Sequence, residues 1–507
     1  MDLPEHGLAD LQACFDRGEW TATTLCEAYL QRIAALNHRG PCLRAVIEIN
    51  PEALALADGL DRERRERGPR GLLHGVPILV KDSIDTGDRM MTTAGSLALL
   101  GNRAPRDAAV VARLRRAGVV VLGKTNMSEW GYVRSTRACS GWSSRGGQTR
   151  NPHVLDRTPL GSSSGSAVAV AANLCAAAIG VEVDGSIVRP ASSNGIVALK
   201  PTVGLVSRAG LINLSPSQLT AGPMGRSVAD VAALLSVMAG EDPDDPATVG
   251  CDSRRASDYR TFLDPDALQG ARLGVARECF SRHEGTTALI EAAIRRLQAL
   301  GAVIIDPVRA GTLSLFNPLA RQRLLHGVRS GINRYLASHP GARVRSLLEL
   351  IAFNREHAAT VMPWFQQDFF ELALEQGDLS DAALDHLQAE CRRLSQAEGI
   401  DRALQEHRLD AIIAPTEGSP PFVIDPVVGD HIIRAGASTP PAMAGYPHIT
   451  VPAGQVQGLP VGLSFFAEAH AEGRLLGLAH AFEQATGARR PPAFCPTLLH
   501  RHPPTAL

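Results

Sequence analysis

Residues 160–202 constrain the fold of this chain more than any other stretch, because they place a serine-bearing turn at each end of one helix and one strand. The segment opens with the Ser/Gly loop 161–166, continues with an alanine-rich helical run and a β-branched run, and reaches a second turn at 183–186. A hydroxyl at such a turn lies beside free backbone N–H groups, which suits covalent catalysis. The alternative is that glycine and serine only make turns here.

The composition is that of an ordinary globular protein. Of the 507 residues, 45% are hydrophobic and 20% charged, so the chain can bury a large core. A net charge of -1 gives no electrostatic indication of nucleic acid binding, and the 4% of aromatic residues disfavours base-stacking surfaces. We therefore expect no nucleic acid partner.

The cysteines and the N-terminus bear on the compartment. The nine cysteines are scattered and never spaced as CxxC, a pattern typical of free thiols. The N-terminus lacks a basic segment followed by an apolar core, and no apolar run is long enough to span a membrane. We expect a cytoplasmic protein without membrane contact. The alternative is a secreted protein whose leader has been removed.

Strand and helix patterns alternate along the chain, and no linker or repeat divides it. Short apolar runs predict buried strands at 76–80, 119–122, 273–276, 410–414 and 461–465. From about 310 to 409 helical patterning dominates, which predicts a mainly helical insertion or cap. We expect an α/β fold, a single large domain over residues 1–507 with a mixed central β-sheet covered by helices on both faces.

Lys81 stands at the end of the apolar run 76–80 and is followed by Asp82. A lysine serves as a general base only when it is neutral, and an apolar approach provides the desolvation that lowers the pKa of an amine. The alternative is a structural lysine paired with Asp82. Lys81 and the serines of the two turns are the candidates for chemistry.

Two short patterns suggest other chemistry and are rejected on their context. Residues 118–125, GVVVLGKT, match a phosphate-binding loop, but four strand-formers separate the glycines and a helix precedes them. Residues 161–165 match the nucleophile elbow G-x-S-x-G, yet the polar, proline-containing segment before them is not a strand. None of the sixteen histidines stands in a catalytic motif, and no metal-binding motif occurs, so we expect no metal.

These residues carry a resemblance that runs from about residue 5 to 497. The run GVPILVKD at 75–82, the block GKTNMSE at 123–129 and the segment 160–202 resemble the motifs of the amidase signature family. Within that family the chain is most similar to the peptide amidases, for example through VDGSI at 183–187. The resemblance implies the amidase signature fold and a hydrolase without a cofactor. It would cleave carboxamides, such as C-terminal peptide amides or N-acylated amino acid amides, to a carboxylate and ammonia.

Carried over residue by residue, the resemblance implies a Ser-Ser-Lys triad. Ser186 would be the nucleophile, Ser162 the bridging serine on a cis peptide, and Lys81 the base. The relay would pass a proton from Ser186 through Ser162 to Lys81, so that no histidine is needed. The oxyanion hole would consist of the backbone N–H groups of Val183, Asp184, Gly185 and Ser186.

The position of the substrate is a further hypothesis. We expect its acyl part to lie along a groove lined by the Trp130–Gly131 turn and by the loop around Tyr446. Leu219 stands where the family has an aspartate and Leu160 where it has a glycine, departures that could weaken the orientation or packing of the site. Arg189 is shifted relative to the family's usual Ser-Ile-Arg.

Other functions remain open at this point. An aryl or short-chain amidase of the same family is one alternative. A non-catalytic homologue, or an amidotransferase subunit that works on charged tRNA in a complex, is another. As partners we expect a small-molecule or peptide amide substrate, and the chain itself as a monomer or homo-oligomer.

Overall fold

A computed structural model describes residues 3–311, 313–377, 379–431 and 435–498. Eleven strands form one sheet in the order β1-β3-β2-β6-β8-β7-β12-β13-β11-β9-β10, and β4 pairs with β5. The strands are β1 Val46–Ile49, β2 Pro77–Lys81, β3 Val120–Thr125, β4 Trp142–Ser143, β5 Gly147–Gln148, β6 Ala177–Glu182, β7 Val197–Lys200, β8 Thr220–Gly225, β9 Arg272–Ala276, β10 Val303–Val308, β11 Ala411–Pro415, β12 His448–Val456 and β13 Leu459–Phe466.

Parallel and antiparallel pairs both occur, for β2 runs parallel to β3 and β6 whereas β6 runs antiparallel to β8. In β2, β3, β6, β8, β11 and β13 every residue is buried. Since successive side chains of a strand point to opposite faces, both faces of the sheet are covered. The predicted fold class, a mixed sheet between helical layers, is confirmed.

Helices supply those layers. They are α1 Leu8–Asp16, α2 Ala22–Leu36, α3 Ala53–Arg67, α4 Ala109–Arg116, α5 Ser164–Ala171, α6 Val188–Ser193, α7 Val228–Met238, α8 Glu284–Ala299, α9 Leu313–Ser338, α10 Leu347–Glu356, α11 Ala358–Val361, α12 Asp368–Gln376, α13 Asp381–Arg392, α14 Asp401–His407, α15 Thr439–Ala444 and α16 Glu472–Thr486. A π-helical segment, Arg393–Ile400, joins α13 to α14. Among the described residues, no helix is both long and apolar enough to cross a bilayer.

The parallel pairing of β2 with β6 positions the site. Ile78 is opposite Ala177 and Val80 is opposite Ile179, so the two strands end at the same edge of the sheet. Lys81 therefore emerges beside the turn that follows β6, and the loop before α5 reaches the same edge. This is the edge at which α/β proteins commonly place their ligands.

Residues 118–125 do not form a phosphate loop. Lys124 lies within β3, where its amine is buried and donates hydrogen bonds to the Ile84 carbonyl at 2.6 Å and to Thr92 Oγ1 at 3.0 Å. A phosphate loop needs a bend with exposed N–H groups at this point, and a strand provides neither.

The helices α9 to α14 lie within the range for which the sequence predicts an insertion or cap. Side chains of α9, α10 and α12 form a second hydrophobic cluster, which includes Val328, Leu350 and Phe370. Trp130 and Leu214 belong to the same cluster and come from loops at the edge of the sheet. Apolar burial thus attaches the helical segment directly to the region beside Lys81.

Candidate active site

Lys81 is 2% exposed and has no carboxylate partner among the described residues. Its Nζ donates to Ser162 Oγ at 2.7 Å and to the Val181 carbonyl at 2.9 Å. Burial lowers the pKa of this amine to about 7, while the charge of Glu182 opposes the shift. At neutral pH a large fraction of Lys81 is therefore neutral, as a general base requires.

Asp82 is engaged elsewhere. Its carboxylate accepts hydrogen bonds from the N–H groups of Thr93 at 3.1 Å and Gly95 at 3.0 Å. Arg145 Nη1 lies 3.5 Å from the same carboxylate. The alternative interpretation, in which Lys81 pairs with Asp82, is wrong.

Ser162 lies in the loop before α5, is 2% exposed, and follows a cis peptide bond after Gly161. The N–H of Ser128 donates to its carbonyl at 3.1 Å, and the N–H of Ser163 donates to the Ser186 carbonyl at 3.0 Å. These two backbone bonds join the loop to the β3 exit on one side and to the second turn on the other. The structure thus brings together the two serine-bearing turns that are over twenty residues apart in sequence.

The turn that carries Ser186 connects β6 to α6. Gly185 has a φ of 74°, a left-handed conformation that favours glycine. The N–H groups of residues 183–186 donate to no other described residue. Four unpaired donors in one turn can stabilise a developing oxyanion without reorganisation.

Glu182, which sequence reasoning missed, holds this turn in place. Its carboxylate is fully buried and accepts hydrogen bonds from the N–H groups of Ile187 at 2.6 Å and Val188 at 3.1 Å. These donors directly follow Ser186, so the carboxylate fixes the backbone on which the serine stands. The sequence did contain a signal for Glu182, which is a charged residue within a run of small, buried strand residues. A buried charge needs partners, so such a residue indicates a polar contact.

Arg189 and Glu417 form a second clamp on the turn. The guanidinium pairs with the carboxylate through Nε and Nη2. A Cβ on Gly185 would overlap the Arg189 side chain, so the arginine packs directly on the turn. From its shifted position in the motif Arg189 reaches Glu417 in the segment after β11, and this contact explains the shift. Glu417 carries no sequence signal that links it to residue 189.

Lys81, Ser162 and Ser186 line one cavity of about 180 Å³. Of the other predicted site residues, Gly131, Val183 and Asp184 line the cavity too, and Gly185 is buried in the turn beside it. Apolar side chains form one wall, namely those of Met127, Trp130, Val133, Ile212, Leu219 and Leu324. The lining also includes the polar side chains of Tyr132, Ser140, Arg189 and Asp430.

Tyr446 is not part of this cavity, contrary to the expectation for the substrate groove. It lines a different cavity, and its hydroxyl donates to Asp401 Oδ2 at 3.0 Å. The loop around Tyr446 faces the π-helical segment rather than Ser186, because Gln396 Nε2 donates to the carbonyl of Ala444 at 2.8 Å. The Trp130–Gly131 half of the expected groove does line the cavity.

The two other departures from the family pattern, Leu219 and Leu160, also lie at the site. Leu219 is buried in the cavity wall, and Leu160 has a φ of 53° directly before Gly161. A left-handed φ is strained for leucine and explains why a glycine suits this position. In the described part of the chain, no histidine lines the cavity and no group of three His, Cys, Asp or Glu side chains is placed to hold a metal ion.

A mixed sheet that presents a buried lysine, two serines and a turn of unpaired N–H groups in one cavity defines a class of serine hydrolases in which lysine replaces histidine. The family model described as Amidase matches residues 24–476. The chain belongs to this family, the amidase signature family, and is an amidase, a hydrolase of carboxamide C–N bonds.

Two solved structures and one curated relative are similar to the chain over nearly its whole length. A peptide amidase from Stenotrophomonas maltophilia is 50% identical with a TM-score of 0.92, and the match covers 97% of this chain and 99% of that one. A peptide amidase in complex with the competitive inhibitor chymostatin is 51% identical with a TM-score of 0.93, covering 96% and 99%. A protein of Arabidopsis thaliana named as a probable amidase is 40% identical over 506 residues, 97% of this chain and 92% of its own.

Proposed function

We propose that this amidase hydrolyses the C-terminal carboxamides of peptides or of N-acylated amino acids and releases ammonia, with Ser186 as nucleophile, Ser162 as relay and Lys81 as base. The observation that carries the proposal is the 2.7 Å contact between Lys81 Nζ and Ser162 Oγ, in a cavity that Ser186 also lines. The similarity to two solved peptide amidase structures at about half identity supports the choice of substrate class.

The reaction follows from these positions. Neutral Lys81 accepts the Ser162 hydroxyl proton while Ser162 takes the proton of Ser186, whose Oγ attacks the amide carbonyl. The N–H groups of residues 183–186 stabilise the oxyanion. The relay then returns a proton to the departing nitrogen, ammonia leaves, and water hydrolyses the acyl-enzyme by the same proton path.

The cavity walls support a substrate with an apolar part. The wall that includes Trp130, Ile212 and Leu324 would receive an aliphatic or aromatic side chain, and burial of such a group is favourable by about 25 cal/mol per Å². Because Leu324 belongs to α9, we propose a single domain in which the helical segment 310–409 acts as a cap over the substrate.

We also propose that the enzyme acts in the cytoplasm, as a monomer or homo-oligomer, without a membrane, nucleic acid or cofactor. In the described residues all nine cysteines are free thiols and most are buried, which suits a reducing compartment.

Release of the amine product by the purified chain, ammonia from a primary carboxamide and aniline from an anilide, tests the proposal. We expect kcat/KM for an N-acylated dipeptide amide to exceed that for acetamide and for an anilide by at least about 100-fold, since apolar contacts of several methylene groups contribute about 0.8 kcal/mol each. Ser186→Ala is expected to abolish release of ammonia, whereas Ser193→Ala, a matched change in the next helix, is expected to retain it. Equal rates on all three amides would contradict the substrate class. Activity that needs a second protein and charged tRNA would favour the amidotransferase role.

A further inference from the structure

A second cavity, of about 230 Å³, lies between α9, α13, the π-helical segment and the end of α15. Its lining includes Arg323, Arg392 and His470, together with the amide side chains of Gln388 and Gln396. Among the described residues no aspartate or glutamate lines it. The wall of this cavity is therefore positively charged, in a protein whose net charge is close to zero.

Arg323 is the central feature of the cavity. It is 5% exposed, and its Nε has no hydrogen-bond partner among the described residues. The one polar contact recorded for its guanidinium is from Nη2 to the thioether sulfur of Met443, at 3.2 Å. A thioether is a weak acceptor and carries no charge, so it does not compensate a buried cation. A guanidinium has five donors in a planar fork that fits the oxygens of a carboxylate or phosphate.

A second unpaired donor lies in the same wall. His470 Nδ1 is buried without a partner, and its Nε2 faces Arg254 at 3.4 Å. Arg392 is exposed at the rim, and no ion pair with a described carboxylate is recorded for it. Burial lowers the pKa of His470, so it contributes a neutral N–H donor, whereas Arg323 and Arg392 are the two cations among the lining residues that the structure describes. Two cations and a free donor in one cavity form an arrangement that attracts and binds an anion.

Each of three nearby carboxylates accepts a hydrogen bond from another residue, although Glu472 Oε2 is buried without a partner among the described residues. Asp184 accepts from Thr439 Oγ1 at 2.9 Å, Glu472 accepts from the N–H of Thr202 at 2.7 Å, and Asp401 accepts from the Tyr446 hydroxyl at 3.0 Å. Their charges act on the cavity from outside its wall, and none forms an ion pair with Arg323. The compensating charge for Arg323 is thus missing from the described part of the chain.

We propose that this cavity is a binding site for a small oxyanion, a carboxylate or a phosphate, held by Arg323 with His470 and Arg392. It is distinct from the amide cavity, with which it shares no lining residue, although Leu324 of the amide cavity directly follows Arg323. The anion is either a free small molecule or an acidic group carried by a substrate. The binding site itself does not depend on the proposed peptide amide specificity.

Thermal unfolding tests the site without reference to activity. Phosphate, sulfate and acetate are compared with chloride at constant ionic strength, for the wild type, Arg323→Met and Arg321→Met. We expect one of the oxyanions to raise the wild-type Tm by at least about 2 °C at saturation, since ligands that bind only the native state stabilise it. Arg323→Met should weaken the apparent Kd by about 10- to 100-fold, the range expected for lost charge-assisted hydrogen bonds. Arg321→Met, an exposed arginine of the same helix, should bind like the wild type.

A kinetic arm distinguishes the two sources of the anion. If the anion belongs to a substrate, free oxyanions leave Tm unchanged. In that case KM for an N-succinyl amide, relative to its neutral N-butyryl counterpart, rises about tenfold or more in Arg323→Met. Should Arg323→Met fail to fold, Arg392→Gln at the exposed rim replaces it, with a severalfold weaker effect expected in either arm. The proposal is overturned if neither Tm nor the KM ratio distinguishes the variant from Arg321→Met.

Discussion

Replacement of Lys81 by methionine should remove activity and yet change stability in a defined, pH-dependent way. The amine has an ordinary pKa of 10.5, which burial lowers to about 7 in the folded protein. Above pH 10.5 the amine is neutral in both the folded and the unfolded chain, so its burial does not lower the free energy of unfolding. Below that pH the unfolded chain binds a proton more readily than the folded chain does. The resulting loss of stability increases as pH falls and levels off below about pH 7.

The two pKa values determine the magnitude. At about pH 7.5 the burial of Lys81 costs roughly 4 kcal/mol of stability, and at about pH 9.5 roughly 1.5 kcal/mol, by the linkage relation. Methionine has a similar length and no charge, so the variant avoids this cost. Its pH-independent losses, chiefly the hydrogen bond to the Val181 carbonyl, are the same at both pH values. We therefore expect the stability difference between Lys81→Met and the wild type to shift by about 2.5 kcal/mol, in favour of the variant, at the lower pH.

Urea unfolding followed by tryptophan fluorescence at the two pH values measures this shift. Lys200, whose pKa burial lowers to about 8, is present in both proteins, so its contribution cancels. Ser162→Ala is the matched control, because it removes the partner of the amine and keeps the amine itself. A stability difference that does not vary with pH would refute the reasoning, since Lys81 would then be charged in the fold and unable to act as the base.

Three further predictions follow from the site. First, kcat/KM should rise with pH to a plateau with a midpoint near pH 7, falling about tenfold per pH unit below it, as Lys81 becomes protonated; a flat profile between about pH 5 and 8 would contradict this. Second, an amine-reactive reagent should inactivate the enzyme by modifying Lys81 first, because it alone of the chain's three lysines lines the active-site cavity; peptide mapping that finds Lys124 or Lys200 modified first would exclude this. Third, Gly185→Ala should lower kcat by at least about tenfold, because its Cβ overlaps Arg189 and a left-handed φ strains alanine; unchanged kcat would show that the turn tolerates the displacement. The control is Gly59→Ala, at a half-buried glycine of α3 where an added Cβ meets no other atom within 4 Å.

Much of the fold and of the candidate site could be predicted from local patterns. Apolar runs bounded by glycine and proline located β2, β3, β9, β11 and β13, because a strand buried on both faces leaves a continuous apolar signature. The segment 160–202 indicated the serine-bearing turns, since small residues are required wherever backbones approach closely. In each case the cause lies within a few residues of the effect.

Contacts between distant segments left no such pattern. Arg189 and Glu417 are 228 residues apart, and nothing in either neighbourhood indicates the other. The expected position of the Tyr446 loop beside the substrate was wrong. The same residues can face either cavity, and only the packing of α13 and the π-helical segment determines which cavity they face. Arg323 looks like one more arginine of an amphipathic helix until its burial is known.

The sequence by itself determined which residues are available for chemistry and where the strands and turns that carry them begin and end, because those properties depend on neighbours along the chain. Only the tertiary structure decided that Lys81 is desolvated enough to act as a base, since its pKa depends on the loop of Ser162, the strand of Val181 and the carboxylate of Glu182, which meet only when the sheet is assembled. Desolvation and charge act through space, and they therefore follow the fold rather than the order of residues.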